Sequence, residues 1–358
     1  MQTAISEILF TPLTLPLTEP FGIATGAQAR AENVLVKIKL ANGITGIGEA
    51  APFTAVSGET QASTLKACKN LQTGLIGKDI RNWLTIAQAL SEKEYNAPAA
   101  RCGIEMAMLD ALAKNYNIPL YVFLGGAGNV LETDMTITTG NIQHAEQSAK
   151  AILKRDIHSI KIKTGGSKIE YDVKRLKAVH KAAPNSPILI DGNCGYTAAS
   201  AIQFMKLLEK ENIYPVLFEQ PLPREDWEGM AQVSKSIAVP ICADESARDA
   251  KDVLKIIQKK CAKAINIKLM KCGIAEALNM IAIAEAAGLQ LMIGGMVESI
   301  LAMTFSAHLA AGRGSFNFID LDTPMFIKKH PFIGGFKQKG AILTLDKDKA
   351  GHGVTVHL

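Results

Sequence analysis

Five charged residues recur through the middle of the 358-residue chain at nearly even intervals. They are Lys163, Asp191, Glu219, Asp244 and Lys268, separated by 28, 28, 25 and 24 positions. Each stands at or just after the end of a short apolar run: SIKIK, PILID, VLFE, ICAD and INIK. A spacing of that size accommodates one strand, one helix and their connecting loops. The pattern predicts parallel strands joined by helices, with a charged side chain at the C-terminal end of each of five consecutive strands.

Extending the reading gives eight strands, near 134–138, 159–163, 187–191, 216–219, 239–243, 264–268, 291–295 and 316–321. Amphipathic stretches of helical length such as 169–182 and 274–287 lie between them. Eight alternating units predict an α/β fold, a modified TIM (β/α) barrel, over 126–325. An open doubly wound sheet would need a glycine-rich first turn and a ribose-binding acid, and neither is present.

Residues 1–125 read differently. Ile5–Phe10 and Asn33–Leu40 have strand character, Asn42-Gly43 signals a tight turn, and Ile44–Glu49 forms the returning strand of a hairpin. From Gly58 to Asn117 the apolar spacing is helical, interrupted at Pro98 and ended by Pro119. This is an α+β capping domain. Gly125-Gly126-Ala127-Gly128 reads as a linker, since no Lys-Ser/Thr follows it as a phosphate loop requires. The tail, 326–358, returns to short strand-like pieces and is expected to rejoin the cap.

Composition narrows the partners. The chain is 48% hydrophobic with a net charge of +5. Basic residues alternate with acids and lack interleaved aromatics, which argues against nucleic acid. No apolar run is long enough to span a membrane. Cys68, Cys102, Cys194, Cys242, Cys261 and Cys272 show no paired spacing, and the N-terminus lacks a secretory pattern. A cytoplasmic protein with free thiols is expected, and a homo-oligomer.

Strand-end residues of a barrel form its active face. Three carboxylates on successive strands, about 4.8 Å apart, would repel unless a cation joined them. An oxygen-only set, Asp191, Glu219 and Asp244, suits Mg²⁺, with Mn²⁺ as the alternative. Asn193 is placed to orient a ligand. Lys163 and Lys268 flank the acids in strand order and should stand on opposite sides of the metal, with lowered pKa values that let them exchange protons. Two such bases suit removal and return of a proton on opposite faces of a planar intermediate. Lys161 shares a face with Lys163, and Asp320 shares one with Asp322. A Schiff-base aldolase would use a barrel lysine without three clustered acids.

The motifs KIK at 161–163, DGN at 191–193, EQP at 219–221, ADES at 243–246 and NIKLMK at 266–271 resemble those of the enolase superfamily, muconate-lactonizing subgroup. The resemblance covers nearly the whole chain and implies a cap plus a modified barrel. It implies that Asp191, Glu219 and Asp244 bind Mg²⁺, that Lys163 and Lys268 are the acid/base pair, and that Lys161 contacts the substrate carboxylate. IDLDTP at 319–324 is similar to the Asp-x-Asp of the dipeptide epimerases. It implies that Asp320 and Asp322 hold the ammonium of an Ala-Xaa-type dipeptide epimerised at its C-terminal α-carbon. Cycloisomerase, o-succinylbenzoate synthase and N-acylamino acid racemase are the alternatives on the same scaffold. Loops at 20–30 and 52–59 are expected to cover the substrate, bringing Phe21, Gly26 and Phe53 to it. An arginine found in the Ala-Glu epimerases is replaced here by Gly26, so a neutral C-terminal side chain is expected. Glu298 is expected beside Lys268 or at a helix start, and His308 as a packed core residue.

Overall fold

The computed structural model describes residues 2–23 and 26–357. Strands β1 (Ile5–Ile23), β2 (Gly26–Leu40) and β3 (Thr45–Ala50) form an antiparallel sheet with β2 in the centre. β1 runs far past the Phe10 boundary expected from sequence. Its prolines, Pro12, Pro16 and Pro20, disguise it, yet β1 is an edge strand whose outer side needs no donors. The turn forms around Asn42-Gly43 with Gly43 at φ +87°, and β3 begins one residue later than expected.

Helices Gln61–Gln72 and Pro98–Asn115 cover this sheet, and Trp83–Lys93 packs against the second of them. Pro98 opens its helix, where the missing N–H costs nothing. Residues 99–113 of that helix are buried throughout. Gly46 and Gly48 let β3 approach it so closely that a Cβ on Gly48 would lie 2.2 Å from Gly103 O.

After the short strand β4 (Val130–Glu132) come the eight parallel strands β5 (Met135–Ile137), β6 (Ile160–Lys163), β7 (Ile188–Asp191), β8 (Leu217–Glu219), β9 (Ile241–Ala243), β10 (Ala264–Ile267), β11 (Gln290–Ile293) and β12 (Phe316–Ile319). They pair in sequence order. The seam between β12 and β5 is joined by isolated bonds. Asp134 N donates to Ile319 O (2.9 Å), Leu321 N to Thr133 Oγ1 (3.0 Å) and Thr136 N to Asp322 Oδ2 (2.6 Å). Leu189, Leu217, Cys242, Ala264 and Met292, with Phe318, fill the barrel interior. Side chains two residues further along point the same way. This row therefore sets Asp191, Glu219, Asp244 and Asn266 directly above an apolar floor.

The last segment forms β13 (Phe332–Gly334), β14 (Lys337–Lys339), β15 (Ile342–Thr344) and β16 (Val354–Val356). β13 pairs with β16, and β15 pairs with both β14 and β4. Its contacts reach the cap: Lys328 N donates to Pro16 O (2.8 Å), and His352 N to Asp110 Oδ1 (3.1 Å). Among the described residues no helix is long and apolar enough to cross a membrane.

Candidate active site

Lys163 and Asp191 face each other across β6 and β7, and Asp191 faces Glu219 across β7 and β8. Lys163 Nζ donates to Asp191 Oδ2 at 2.6 Å, and Lys268 Nζ to Asp244 Oδ2 at 2.6 Å. β6 and β10 are four steps apart in an eight-stranded barrel. The two ammonium groups therefore enter from opposite sides, and both line one cavity. Lys161, 1% exposed, lies between the acids. Its Nζ is 2.6 Å from Glu219 Oε2, 2.7 Å from Asp320 Oδ2 and 3.2 Å from Asp191 Oδ2.

The acids govern the charge of Lys161 and Lys268. Burial alone would push Lys161 and Lys268 down. The surrounding acids win: Asp320, Glu219 and Asp191 hold Lys161 well up, and Asp244 and Glu219 hold Lys268 up. The acids respond in turn. Burial raises Asp191, yet Lys163 and Lys161 bring it down to about 2, and Lys268 and Lys271 hold Asp244 far below the usual carboxylate range. Glu219 goes the other way, to about 7, through burial and the neighbouring Asp191. Glu245, the next residue after Asp244, rises to about 8 through burial and Asp244.

A hard cation fits this set. Three carboxylates from successive strands supply oxygen alone. Beside them, Asn193 Oδ1 and Glu245 Oε2 are buried acceptors with no donor among the described residues. Among the described residues, the acids that bring one oxygen each within 4.8 Å of one another are a different group, Asp134, Asp320 and Asp322. Lysines stand among Asp191, Glu219 and Asp244 instead.

Several supporting residues carried no signal in sequence. Asn266 Nδ2 donates to Glu219 Oε1 (2.7 Å). Lys271 Nζ donates to Asp244 Oδ1 (2.6 Å) and to Asn266 O (2.8 Å). Gln220, at φ +29°, accepts from Asp244 N (2.9 Å) and Ser246 N (3.1 Å) and donates to Ser246 Oγ (2.8 Å). It thus ties the loop of one acid to the loop of the next. The NIKLMK and EQP strings contained these residues, but their roles depend on contacts between strands.

The cavity is small, about 20 Å³, and is lined by Phe21, Phe53, Val56 and Met296, with Asp320, Asp322 and Thr136. Phe21 meets Phe326 edge-on, with ring centroids 5.4 Å apart. Gly26 stands apart from the cavity, near Ala55, and lines an outer groove with the exposed Arg30. Residues 24 and 25 of the expected first loop lie outside the described residues. Glu298 is behind the wall, where its Oε1 accepts from Met296 N (2.8 Å). A larger cleft, about 540 Å³ between Tyr95, Arg101, Arg224 and Arg248, holds neither member of the opposed lysine pair. The chemistry converges in the smaller one.

Residues 5–125 match the mandelate racemase / muconate lactonizing enzyme N-terminal domain, and residues 143–357 match the enolase C-terminal domain-like family. The chain belongs to the enolase superfamily. It is 60% identical to an aromatic dipeptide epimerase of Herpetosiphon aurantiacus, over 99% of this chain and 100% of that one. It is 38% identical to an L-Ala-D/L-amino acid epimerase of Populus trichocarpa, over 95% of this chain and 82% of that one. A dipeptide epimerase from Enterococcus faecalis, solved with Mg and the dipeptide L-Leu-L-Tyr, superposes with a TM-score of 0.95 at 33% identity, covering 98% and 99% of the two chains. Enolase superfamily members bind a divalent metal, and the buried acids here suit one.

Proposed function

We propose that this enolase superfamily enzyme is a Mg²⁺-dependent dipeptide epimerase. It inverts the α-carbon of the C-terminal residue of a dipeptide whose C-terminal side chain is large and apolar, aromatic above all. The observation that carries the reaction is the opposed pair, Lys163 and Lys268, lining one cavity from strands half a barrel apart. The observation that carries the side-chain preference is the cavity wall of Phe21, Phe53, Val56 and Met296, with Arg30 outside it. The 60%-identical relative is named for aromatic dipeptides, which agrees.

Asp191, Glu219 and Asp244 would hold the metal. When bound, it supplies positive charge to the substrate carboxylate and to the second negative charge that develops as the α-proton leaves. Lys161 adds a fixed positive charge to the same carboxylate. A lysine freed from its acid partner accepts the α-proton on one face, while the protonated lysine opposite returns one. Asp320 and Asp322 receive the α-ammonium, a demand that cycloisomerisation and succinylbenzoate synthesis do not make. Burial and Asp320 push Asp322 up to about 7, so the pair carries less than two full negative charges until a cation arrives. The same reading places a homo-oligomer in a reducing cytoplasm, in keeping with six unpaired cysteines, five of them buried.

The test is α-proton exchange in deuterated water with L-Ala–aromatic dipeptides, followed by NMR. The native enzyme exchanges both epimers. Lys163→Ala exchanges only one epimer, and Lys268→Ala only the other. Equal partial losses on both epimers would refute the two-face arrangement. Excess chelator stops exchange and Mg²⁺ restores it.

A further inference from the structure

Beneath the ammonium-binding pair lies a third acid to which sequence reasoning gave no role. Asp134 stands at the seam, where its N–H joins β5 to Ile319 O. Its carboxyl is 3% exposed, and neither oxygen receives a hydrogen bond from any N–H or hydroxyl among the described residues. Its neighbours are Asp320 and Asp322, and one carboxylate oxygen from each of the three lies within 4.8 Å of the others.

The other two acids are already engaged. Asp320 Oδ2 accepts from Lys161 Nζ (2.7 Å), and Asp322 Oδ2 from Thr136 N (2.6 Å). Asp320, Asp322 and Thr136 line the cavity, whereas Asp134 does not. Three buried carboxylates that share one bonded ammonium cannot all be charged. Lys161 keeps Asp320 low, while burial, Asp320 and Asp322 together drive Asp134 well up. The odd proton therefore belongs to Asp134, whose oxygens have no other partner among the described residues and which stands beside Asp320 in the cluster.

We propose that Asp134 is a protonated carboxylic acid that donates its hydrogen to Asp320 from the side away from the cavity, and so fixes the Asp320–Asp322 pair in the orientation that receives the substrate's α-ammonium. This rests on the dipeptide reading above. Asp134 is a positioning residue: it acts through Asp320 and does not touch the substrate. With Lys161 on one side and Asp134 on the other, Asp320 has two donors holding its plane. What remains for the cavity is the acceptor capacity an ammonium needs.

Two substitutions separate donation from bulk. Asp134→Leu removes the donor at similar size, and Asp134→Asn keeps a donor without an ionisable proton. With Asp134→Leu, KM for an L-Ala–aromatic dipeptide rises about tenfold or more while kcat changes less, because a ground-state contact is lost. The propionyl analogue, which has no ammonium, shows no such rise in its inhibition constant. With Asp134→Asn, KM returns to within about threefold of native, since the hydrogen bond is restored.

The proton is read directly from the infrared difference spectrum of native protein minus Asp134→Asn at neutral pH, which shows a protonated carboxyl carbonyl band. The proposal is overturned by absence of that band, by equal damage from Asn and Leu, or by an unchanged dipeptide KM in a folded Asp134→Leu. The infrared band reports on Asp134 whether or not dipeptides are substrates, so failure of the dipeptide reading is told apart from failure of this one.

Discussion

His308 lies inside a buried helix that faces the cap, away from Lys163 and Lys268. Its Nδ1 accepts from Tyr121 N at 2.9 Å, which leaves Nε2 to carry the hydrogen toward His352 O at 3.3 Å. The ring stacks on Tyr121. Burial first, and His352 second, pull its pKa down to about 3, so the fold keeps the ring neutral. The unfolded chain takes up that proton below about 6.5. Stability contributed by neutral His308 is thus complete above that pH and is lost as pH falls toward 3, at about 1.4 kcal/mol per unit. His308→Asn keeps an acceptor for Tyr121 N but does not titrate. The variant is expected to be less stable than native at pH 8, with the gap narrowing by about 2 kcal/mol at pH 5. Urea midpoints at the two pH values measure this. A gap of constant size would place the proton elsewhere. The packed His308 of the sequence reading was legible because its neighbours are apolar at helical spacing. Asn266, Gln220 and Asp134 were not, because an amide or a lone acid has no signature until the strand beside it is known.

Strands β6 to β10 were legible because each is buried on both faces and reads as a short apolar run ended by a charge. Boundaries were less so. Sequence carried the last strand to Leu321, while the ladder ends at Ile319 and Asp320 continues only as a single bond to Ile293 O (2.9 Å). In the cap, the sheet-to-helix approach was invisible, since it depends on what a glycine lacks. Gly48 packs so near the Pro98–Asn115 helix that an added Cβ would also fall 2.8 Å from Ala107 N. Backbone on both sides leaves nothing flexible to yield. Gly48→Ala is therefore expected to destabilise by about 1–3 kcal/mol or more through separation of strand and helix. Chemical denaturation measures it, and a loss within about 0.5 kcal/mol of zero, the range of an ordinary surface change, would show that the elements are not in register.

At the scale of the whole chain, we propose that 1–125, 126–325 and 326–358 act as cap, barrel and returning tail, and that the cap is fixed to the barrel by buried acids set at barrel helix starts. Glu49 at the end of β3 accepts from Ser299 N (3.0 Å), Ala302 N (3.2 Å) and Ser299 Oγ, at the start of the Ile300–Arg313 helix. Asn33 binds Glu49 Oε1 (2.6 Å) and Val297 O (3.0 Å) together. Glu105 does the same for the Ile274–Ala286 helix, accepting from Ile274 N (2.6 Å) and Ala275 N (2.9 Å). Arg101 adds a bond to Cys272 O (3.1 Å). Free backbone N–H groups at a helix start favour an acid, and burial leaves them no water as a substitute. Phe21 and Phe53 ride on the same cap, so loosening it should disturb the cavity roof without touching the lysines. Glu49→Ala strands the Ser299 and Ala302 donors and Asn33. We expect a loss of about 2–4 kcal/mol. We also expect a rise in KM for aromatic dipeptides with a smaller change in kcat, because the wall is displaced and the proton-transfer pair is not. Glu49→Gln, which keeps an acceptor, should lose less. Calorimetry tests the linkage itself: the native chain should unfold in one transition, and Glu49→Ala should broaden or split it as cap and barrel uncouple. An unchanged single transition with unchanged KM would mean that Glu105 and Arg101 hold the two parts together without it.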